Sequence, residues 1–323
     1  MKKILIITNS GRAITDAHIA KIKAVAPEME IVVANGAADI ARHLPEAEIL
    51  VTSPRTFPPL AEAARLKWLH SFSAGMDRIL TPEVARSPML LSNSAGALAV
   101  PIAEHVLAYM LIFARGFLRS LENQREHRWQ RGQGLFELCG KAVLVVGMGH
   151  IGGEVARRAH AFGCPVLATT RSGNLRDESL ASAVDETHPA DALPALLPRA
   201  DFVVSCLPDT PETHHIFNAE TFALMKPSAY FINIGRGGLA NETDLSAALR
   251  KKTIAGAALD VTETEPLPAE SPLWEMPNVI ITPHHSGSSE RATERAIEVF
   301  CRNLAAYGAD EPLPTLVDKQ LGY

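Results

Sequence analysis

The sequence predicts an α/β protein built from two doubly wound parallel-sheet domains, the second inserted into the first. Three observations carry this expectation. Short apolar runs alternate with amphipathic helical patterns along most of the chain. The unit at 141–171 reads strand, tight turn, helix, strand, with Gly147, Gly149 and Gly152 at G-x-G-x-x-G spacing. The length of 323 residues is that of about two domains.

The first domain is expected at 1–100 and 289–323, the second at 101–288. Strands are expected at 4–7, 31–33, 49–51 and 68–72, with helices at 14–25, 38–44 and 60–66 between them. The first turn, Thr8 to Arg12, lacks the three-glycine spacing and is not expected to hold a pyrophosphate. An apolar helix at 101–117 and a polar, Arg-rich helix to about 130 form the crossover into the second domain. There the strand at 142–146 is followed by a helix with Ile151, Val155, Ala159 and Phe162 on one face, and by a strand that starts at Pro165. Strands at 202–206, 230–234, 254–259 and 279–282 continue the sheet, with helices at 219–225 and 244–251, the latter capped by Asn241. A final helix at 289–307 returns to the first domain. Two crossings imply a hinge and a cleft, with ligands at the carboxyl ends of the strands.

Composition excludes several classes. The net charge of −5, without a Lys/Arg stripe, argues against a nucleic-acid partner. Cys139, Cys164, Cys206 and Cys301 are scattered in apolar surroundings and read as free thiols of a cytoplasmic protein. The amino-terminal apolar run is short and lacks a small-residue cleavage site, and the longest apolar segment, 106–114, is too short for a bilayer, so no membrane partner is expected. The doublets His214-His215 and His284-His285 point to opposite faces of extended chain, and no metal is expected.

The glycines each have a physical reason. Gly147 allows the sharp turn, Gly149 lets backbone approach a pyrophosphate, and Gly152 lets helix and strand pack closely. The helix amino terminus then offers free N–H groups and partial positive charge to that anion. At the end of the next strand, Thr170, Arg171 and Ser172 stand where a carboxylate would select NAD(H). No carboxylate is there to repel a 2′-phosphate, and a guanidinium can bind it, so NADP(H) is the preferred cofactor, with NAD(H) possible. Three later strands end in chemistry-bearing residues: Arg236 past 230–234, Asp260 and Glu265 past 254–259, and His284 past 279–282.

In this combination the sequence resembles the D-isomer-specific 2-hydroxyacid dehydrogenase family, the group of glyoxylate/hydroxypyruvate reductases and D-3-phosphoglycerate dehydrogenases. The resemblance covers essentially the whole chain. It rests on the Gly147–Gly152 turn, the LPDTPETHH segment from Leu207, the NIGRGG segment around Arg236, the Asp260…Glu265-Pro266 spacing and Thr282-Pro283-His284. It implies a Rossmann cofactor domain inserted into a flavodoxin-like substrate domain, and a homodimer.

The resemblance also implies a catalytic triad of Arg236, Glu265 and His284. His284 would protonate the keto oxygen as hydride reaches its carbon, Glu265 would orient the ring and favour the imidazolium, and Arg236 would clamp the substrate. Asp260 resembles the residue that accepts from the nicotinamide amide. Further cofactor contacts carried over are His150 and Ile151 beside the glycines, then Leu207, Pro208, Thr213, Ile234, Gly235, Arg236, His284 and Gly287. Ala74 and Gly75 resemble a loop whose N–H groups hold the substrate carboxylate, with Arg236 and His284 completing the substrate contacts. Glu104 and His105 are read as packing residues, and Arg55, Phe57, Met76, Leu98 and Trp274 as candidate pocket lining. The implied reaction is reduction of a small 2-keto acid, glyoxylate- or hydroxypyruvate-like, to the D-2-hydroxy acid. The alternatives are a NAD-dependent member acting on another 2-hydroxy acid, and a dinucleotide-sensing binding protein like the transcriptional corepressors that resemble these enzymes.

Overall fold

A computed structural model describes residues 2–8, 13–53, 57–132 and 134–322. They form two compact units, Met1–Leu98 with Ser289–Tyr323, and Ala99–Ser288. The first unit runs β1 (Lys3–Ile7), α1 (Asp16–Val25), β2 (Glu30–Ala34), α2 (Ala37–His43), β3 (Ile49–Thr52), β4 (Trp68–Ser71), α3 (Pro82–Arg86) and β5 (Leu90–Asn93). The strands pair in parallel in the order β2-β1-β3-β4-β5, the flavodoxin-like arrangement. Every residue of β1 and β3 is buried, as expected of strands covered on both faces. A capping box between Thr15 and His18 starts α1.

Two departures from the sequence expectation have simple causes. The helix expected at 60–66 is a single 3₁₀ turn, Leu60–Glu62, followed by a second turn that closes from Leu66 N to Ala63 O and delivers Lys67 N to Glu48 O at the entry to β4. The unexpected β5 reads Leu90-Leu91-Ser92-Asn93, two apolar residues followed by two polar ones, yet Ser92 and Asn93 are buried.

Asn93 is satisfied by Ala74 O and Ala95 N, and Ser92 by a network around His70. Ser94 spends its proton on Ser71 O, so His70 Nε2–H donates to Ser94 Oγ at 3.2 Å. His70 Nδ1 therefore accepts from Ser92 Oγ at 2.7 Å, while Ser92 accepts from Trp68 Nε1. The ring is fully buried and neutral, and burial pushes its pKa down from 6.5 to about 3. The unfolded chain takes up a proton below pH 6.5 that the native ring refuses. Stability from this group is therefore complete above pH 6.5 and declines toward pH 3 by about 1.4 kcal/mol per pH unit. Urea unfolding should accordingly show a steeper loss of stability between neutral pH and pH 5 than His70→Phe shows, although the variant is less stable at neutral pH. Parallel pH profiles would refute the assignment.

The second unit runs α4 (Ala99–Ala114), α5 (Phe117–Arg125), β6 (Val143–Val146), α6 (His150–Ala161), β7 (Val166–Thr170), β8 (Glu186–Pro189), α7 (Leu193–Leu196), β9 (Phe202–Ser205), α8 (Ala219–Leu224), β10 (Tyr230–Asn233), α9 (Glu242–Arg250), β11 (Gly256–Leu259) and β12 (Val279–Ile281). Its parallel sheet has the order β12-β11-β10-β9-β6-β7-β8, a Rossmann sheet that reverses direction at β6. Val146 pairs with Thr169 on one side and Ser205 on the other, so Gly147 leaves the sheet at that switch point. The edge strand β8 escapes sequence patterning because it reads Glu-Thr-His-Pro, polar residues and a proline that an edge tolerates. The Arg-rich helix expected to reach 130 stops at Arg125, where His127 turns left-handed at φ 55° and Arg128 N bonds Asn123 O.

The chain then returns to the first unit through α10 (Ala292–Gly308). Its buried face, including Ile297, Phe300 and Leu304, packs in one cluster with Ile4, Ile6, Trp68 and Phe72. Among the described residues no single helix is long and apolar enough to cross a membrane.

Candidate active site

In a parallel sheet every strand delivers its following loop to the same end. The loops after β9, β10, β11 and β12 thus share one end of the second unit, and they carry Leu207, Arg236, Glu265 and His284. His284 Nδ1 lies 2.8 Å from Glu265 Oε2 and 3.1 Å from Oε1. With Nδ1 turned to the carboxylate, Nε2 is the nitrogen left to meet a reactant. The backbone at His284 is left-handed, φ 50°, and is pinned by N–H bonds to Asp260 O and Thr282 O. Half of the His284 side chain is exposed. Arg236 follows β10 in extended backbone, with its carbonyl held by the Asn233 amide and its Nη1 on Gly235 O.

Asp260, directly after β11, is 2% exposed. Its carboxylate accepts from the Thr282 hydroxyl at 2.6 Å and from the N–H groups of His285 and Ser286. Burial opposes ionisation, but the bonds from Ser286 and Thr282 outweigh it and hold the carboxyl below its usual range. Thr282 gives its proton to Asp260, so it accepts from Tyr109 OH at 2.5 Å and from His105 Nε2–H at 3.2 Å. The packing role read for His105 is therefore incomplete, since it belongs to the support of Asp260. The signal was present in sequence: His105 and Tyr109 stand at i,i+4 on one face of α4, a helix that is apolar elsewhere but for Glu104. Ligand atoms of His105, Asp260 and His285 also lie within 4.8 Å of one another, a grouping that the spacing of adjacent histidines does not reveal. Three donors already occupy the carboxylate, and the His285 ring stands edge-on to His105.

The glycine turn passes three tests of fit to a dinucleotide. Gly147 has φ 101°, which a side chain rarely adopts, and a Cβ on Gly152 would stand 2.0 Å from Gly147 O. Gly149, which begins α6, has open space where its Cβ would be, so backbone can approach a ligand there. The Thr170 hydroxyl, at the tip of β7 beside Arg171, is buried with no hydrogen-bond partner among the described residues. An orphaned buried hydroxyl beside a glycine cradle suits a bound polar group. Leu207 packs against Gly147, Ile234 is buried, and His150 is exposed.

Other expected positions fare differently. The Thr213 hydroxyl donates to Pro208 O and accepts from Thr210 N, so its polar atoms hold their own turn. Ala74 and Gly75 lie in the loop after β4, where the Asn93 amide grips Ala74 O. Met76 is 2% exposed within the core around Leu69 and Ile79, so it does not line a pocket: the loop turns its side chain inward. Phe57 and Leu98 are partly buried against cores of the first unit, and half-exposed Trp274 donates Nε1–H to Pro268 O. Arg55 and residues 9–12 lie outside the described residues.

Residues 107–286 match the family model of the NAD-binding domain of D-isomer-specific 2-hydroxyacid dehydrogenases. The chain belongs to that family. A glyoxylate reductase of Pyrococcus furiosus is 35% identical over 80% of this chain and 78% of its own length. The crystal structure of a D-isomer-specific 2-hydroxyacid dehydrogenase family protein from Aeromonas salmonicida is 35% identical, with a TM-score of 0.85 over 99% of this chain and 100% of that one. An NADPH-dependent glyoxylate/hydroxypyruvate reductase from Sinorhizobium meliloti, solved with NADP and sulfate, is 31% identical, with a TM-score of 0.82 over the whole of both chains. In this oxidoreductase family, the two-unit α/β architecture and the Rossmann sheet described above are the shared frame.

Proposed function

We propose that the chain is an NADP-dependent reductase that converts a small 2-keto acid, of glyoxylate or hydroxypyruvate size, to the D-2-hydroxy acid. The observation that carries the reading is the bonded His284–Glu265 pair at the same sheet end as Arg236. A bound nicotinamide dinucleotide would supply the hydride. His284 Nε2 then gives its proton to the keto oxygen, and Glu265 offsets the positive charge that the ring carries beforehand. Arg236 holds the substrate carboxylate and keto oxygen, and the N–H groups of Ala74 and Gly75 add to that hold. Asp260, kept ionised, would accept from the carboxamide of a bound cofactor through Oδ2, which among the described residues carries only the Ser286 N–H. The glycine turn would hold the pyrophosphate, Thr170 and Ser172 the adenosine ribose, and Arg171 the 2′-phosphate. The Sinorhizobium relative, named as NADPH-dependent, supports that choice of cofactor, and the glyoxylate reductases support the substrate class.

The test is a panel of 2-keto acids assayed with NADPH and NADH. NADPH should be preferred. Arg171→Ala should lower kcat/KM for NADPH by about 10- to 150-fold, the loss of a charge-assisted contact of about 1.5–3 kcal/mol, with NADH little affected. A native preference for NADH would overturn the NADP reading. Tight NADPH binding without reduction of any 2-keto acid would favour a dinucleotide-sensing protein instead.

A further inference from the structure

Glu265 stands six residues past β11, within the loop that follows that strand, and what holds this part of the loop lies outside the proposed reaction. Asp260 anchors its start. The next fixed point is Glu263, which is gripped at both backbone and side chain. Its N–H donates to Glu242 Oε1 at 2.7 Å, and its own Oε2 accepts from Glu242 N at 3.2 Å. Glu242 is the first residue of α9, so the Glu263 carboxylate also sits at a helix amino terminus, where negative charge is favoured. Its other oxygen, Oε1, lies 2.5 Å from His215 Nε2.

These contacts join three neighbouring strand-end loops. His215 belongs to the loop after β9, Glu242 closes the loop after β10, and Glu263 lies in the loop after β11. The His214 ring stacks on His215 at 4.0 Å, and His214 Nδ1 reaches Asp209 at 3.2 Å. The Arg236 turn is wedged into the same assembly. A Cβ on Gly237 would stand 1.9 Å from Thr262 O, and one on Gly238 would stand 2.2 Å from Asp209 Oδ2. Arg236 and Glu265 thus sit on loops that cannot shift independently.

We propose that Glu263 is a positioning residue: its carboxylate, held by His215 and the Glu242 N–H, sets the loop after β11 so that Glu265 reaches His284. The consequence for turnover rests on the acid–base reading given above; the positioning itself does not. Misplacing a catalytic partner by an ångström costs up to about 100-fold in rate, so Glu263→Ala should lower kcat by roughly 10- to 100-fold while KM for NADPH stays near its native value. Glu263→Gln keeps the shape, with Oε1 accepting from Glu242 N and the amide donating to His215, and should restore most of the rate. His215→Asn cuts one of the two carboxylate contacts and should give a smaller loss. Glu263→Ala and Glu265→Gln should both lower the rate of keto-acid reduction through the same loss of the His284–Glu265 contact. Combining them should cost little more than Glu265→Gln alone, because they act through one contact.

The Nδ1 proton resonance of His284 in ¹⁵N-histidine-labelled protein reads the His284–Glu265 bond without reference to turnover. Glu265→Gln assigns it; Glu263→Ala should broaden or shift it in the same way, and Glu263→Gln should preserve it. An unaltered resonance in Glu263→Ala overturns the proposal, as would a rate loss that multiplies with that of Glu265→Gln. Should Glu265→Gln leave the rate intact, the acid–base reading fails, and the resonance still decides the positioning.

Discussion

His284→Asn should reduce turnover of every accepted 2-keto acid by about 10²–10⁴-fold, the usual contribution of a positioned general acid, with NADPH affinity nearly unchanged. Asparagine is the informative replacement because residue 284 has φ 50°, a region that asparagine tolerates and alanine does not. The backbone anchors to Asp260 O and Thr282 O therefore survive, and the amide can still bond Glu265. Only the transferable proton is lost. Steady-state kinetics with NADPH fluorescence titration reads both quantities, and an equal loss of cofactor affinity would mean that His284 holds the dinucleotide instead of the reacting oxygen.

Arg236→Gln should lower kcat/KM for the keto acid by roughly 10²–10⁴-fold, from the loss of two charge-assisted bonds worth about 1.5–3 kcal/mol each. Arg236 follows β10 in ordinary extended backbone, so the exchange adds no strain. Its carbonyl remains on the Asn233 amide, which keeps the turn in place. Arg236→Lys should recover only part of the activity, since an ammonium lacks the planar fork. The discriminating measurement repeats the assay with a neutral carbonyl analogue that lacks the carboxylate. If the variant loses as much on that analogue, Arg236 is not the carboxylate clamp.

Legibility followed patterning. Strands buried on both faces, such as β1, β6 and β9, announced themselves as apolar runs, and the glycine spacing located the turn after β6. Strands β5 and β8 stayed hidden, because their residues are polar for reasons that reside elsewhere: Ser92 answers Trp68 and His70, and β8 is a sheet edge. At the site, Arg236, Glu265 and His284 stand in recognisable segments, and the His284–Glu265 contact has geometry to match. The polar pair His105 and Tyr109 is visible on α4, but the partners that such supports meet were not readable. Thr282 meets Tyr109 across 173 positions of sequence, and Glu263 meets His215 across 48, so no local spacing rule connects either pair. Met76 failed in the other direction, an apolar residue in a candidate loop that the core claims.

The return of α10 to the first unit orders events on the ribosome. Val317 N bonds Leu91 O, Thr315 bonds Asn93 O, and Phe300 packs beside Trp68, so β4 and β5 lack this cover until residues 300–317 have been translated. The nested unit, contiguous from Ala99 to Ser288, has by then been translated whole. The unit that begins ahead of the nested one is thus completed after it.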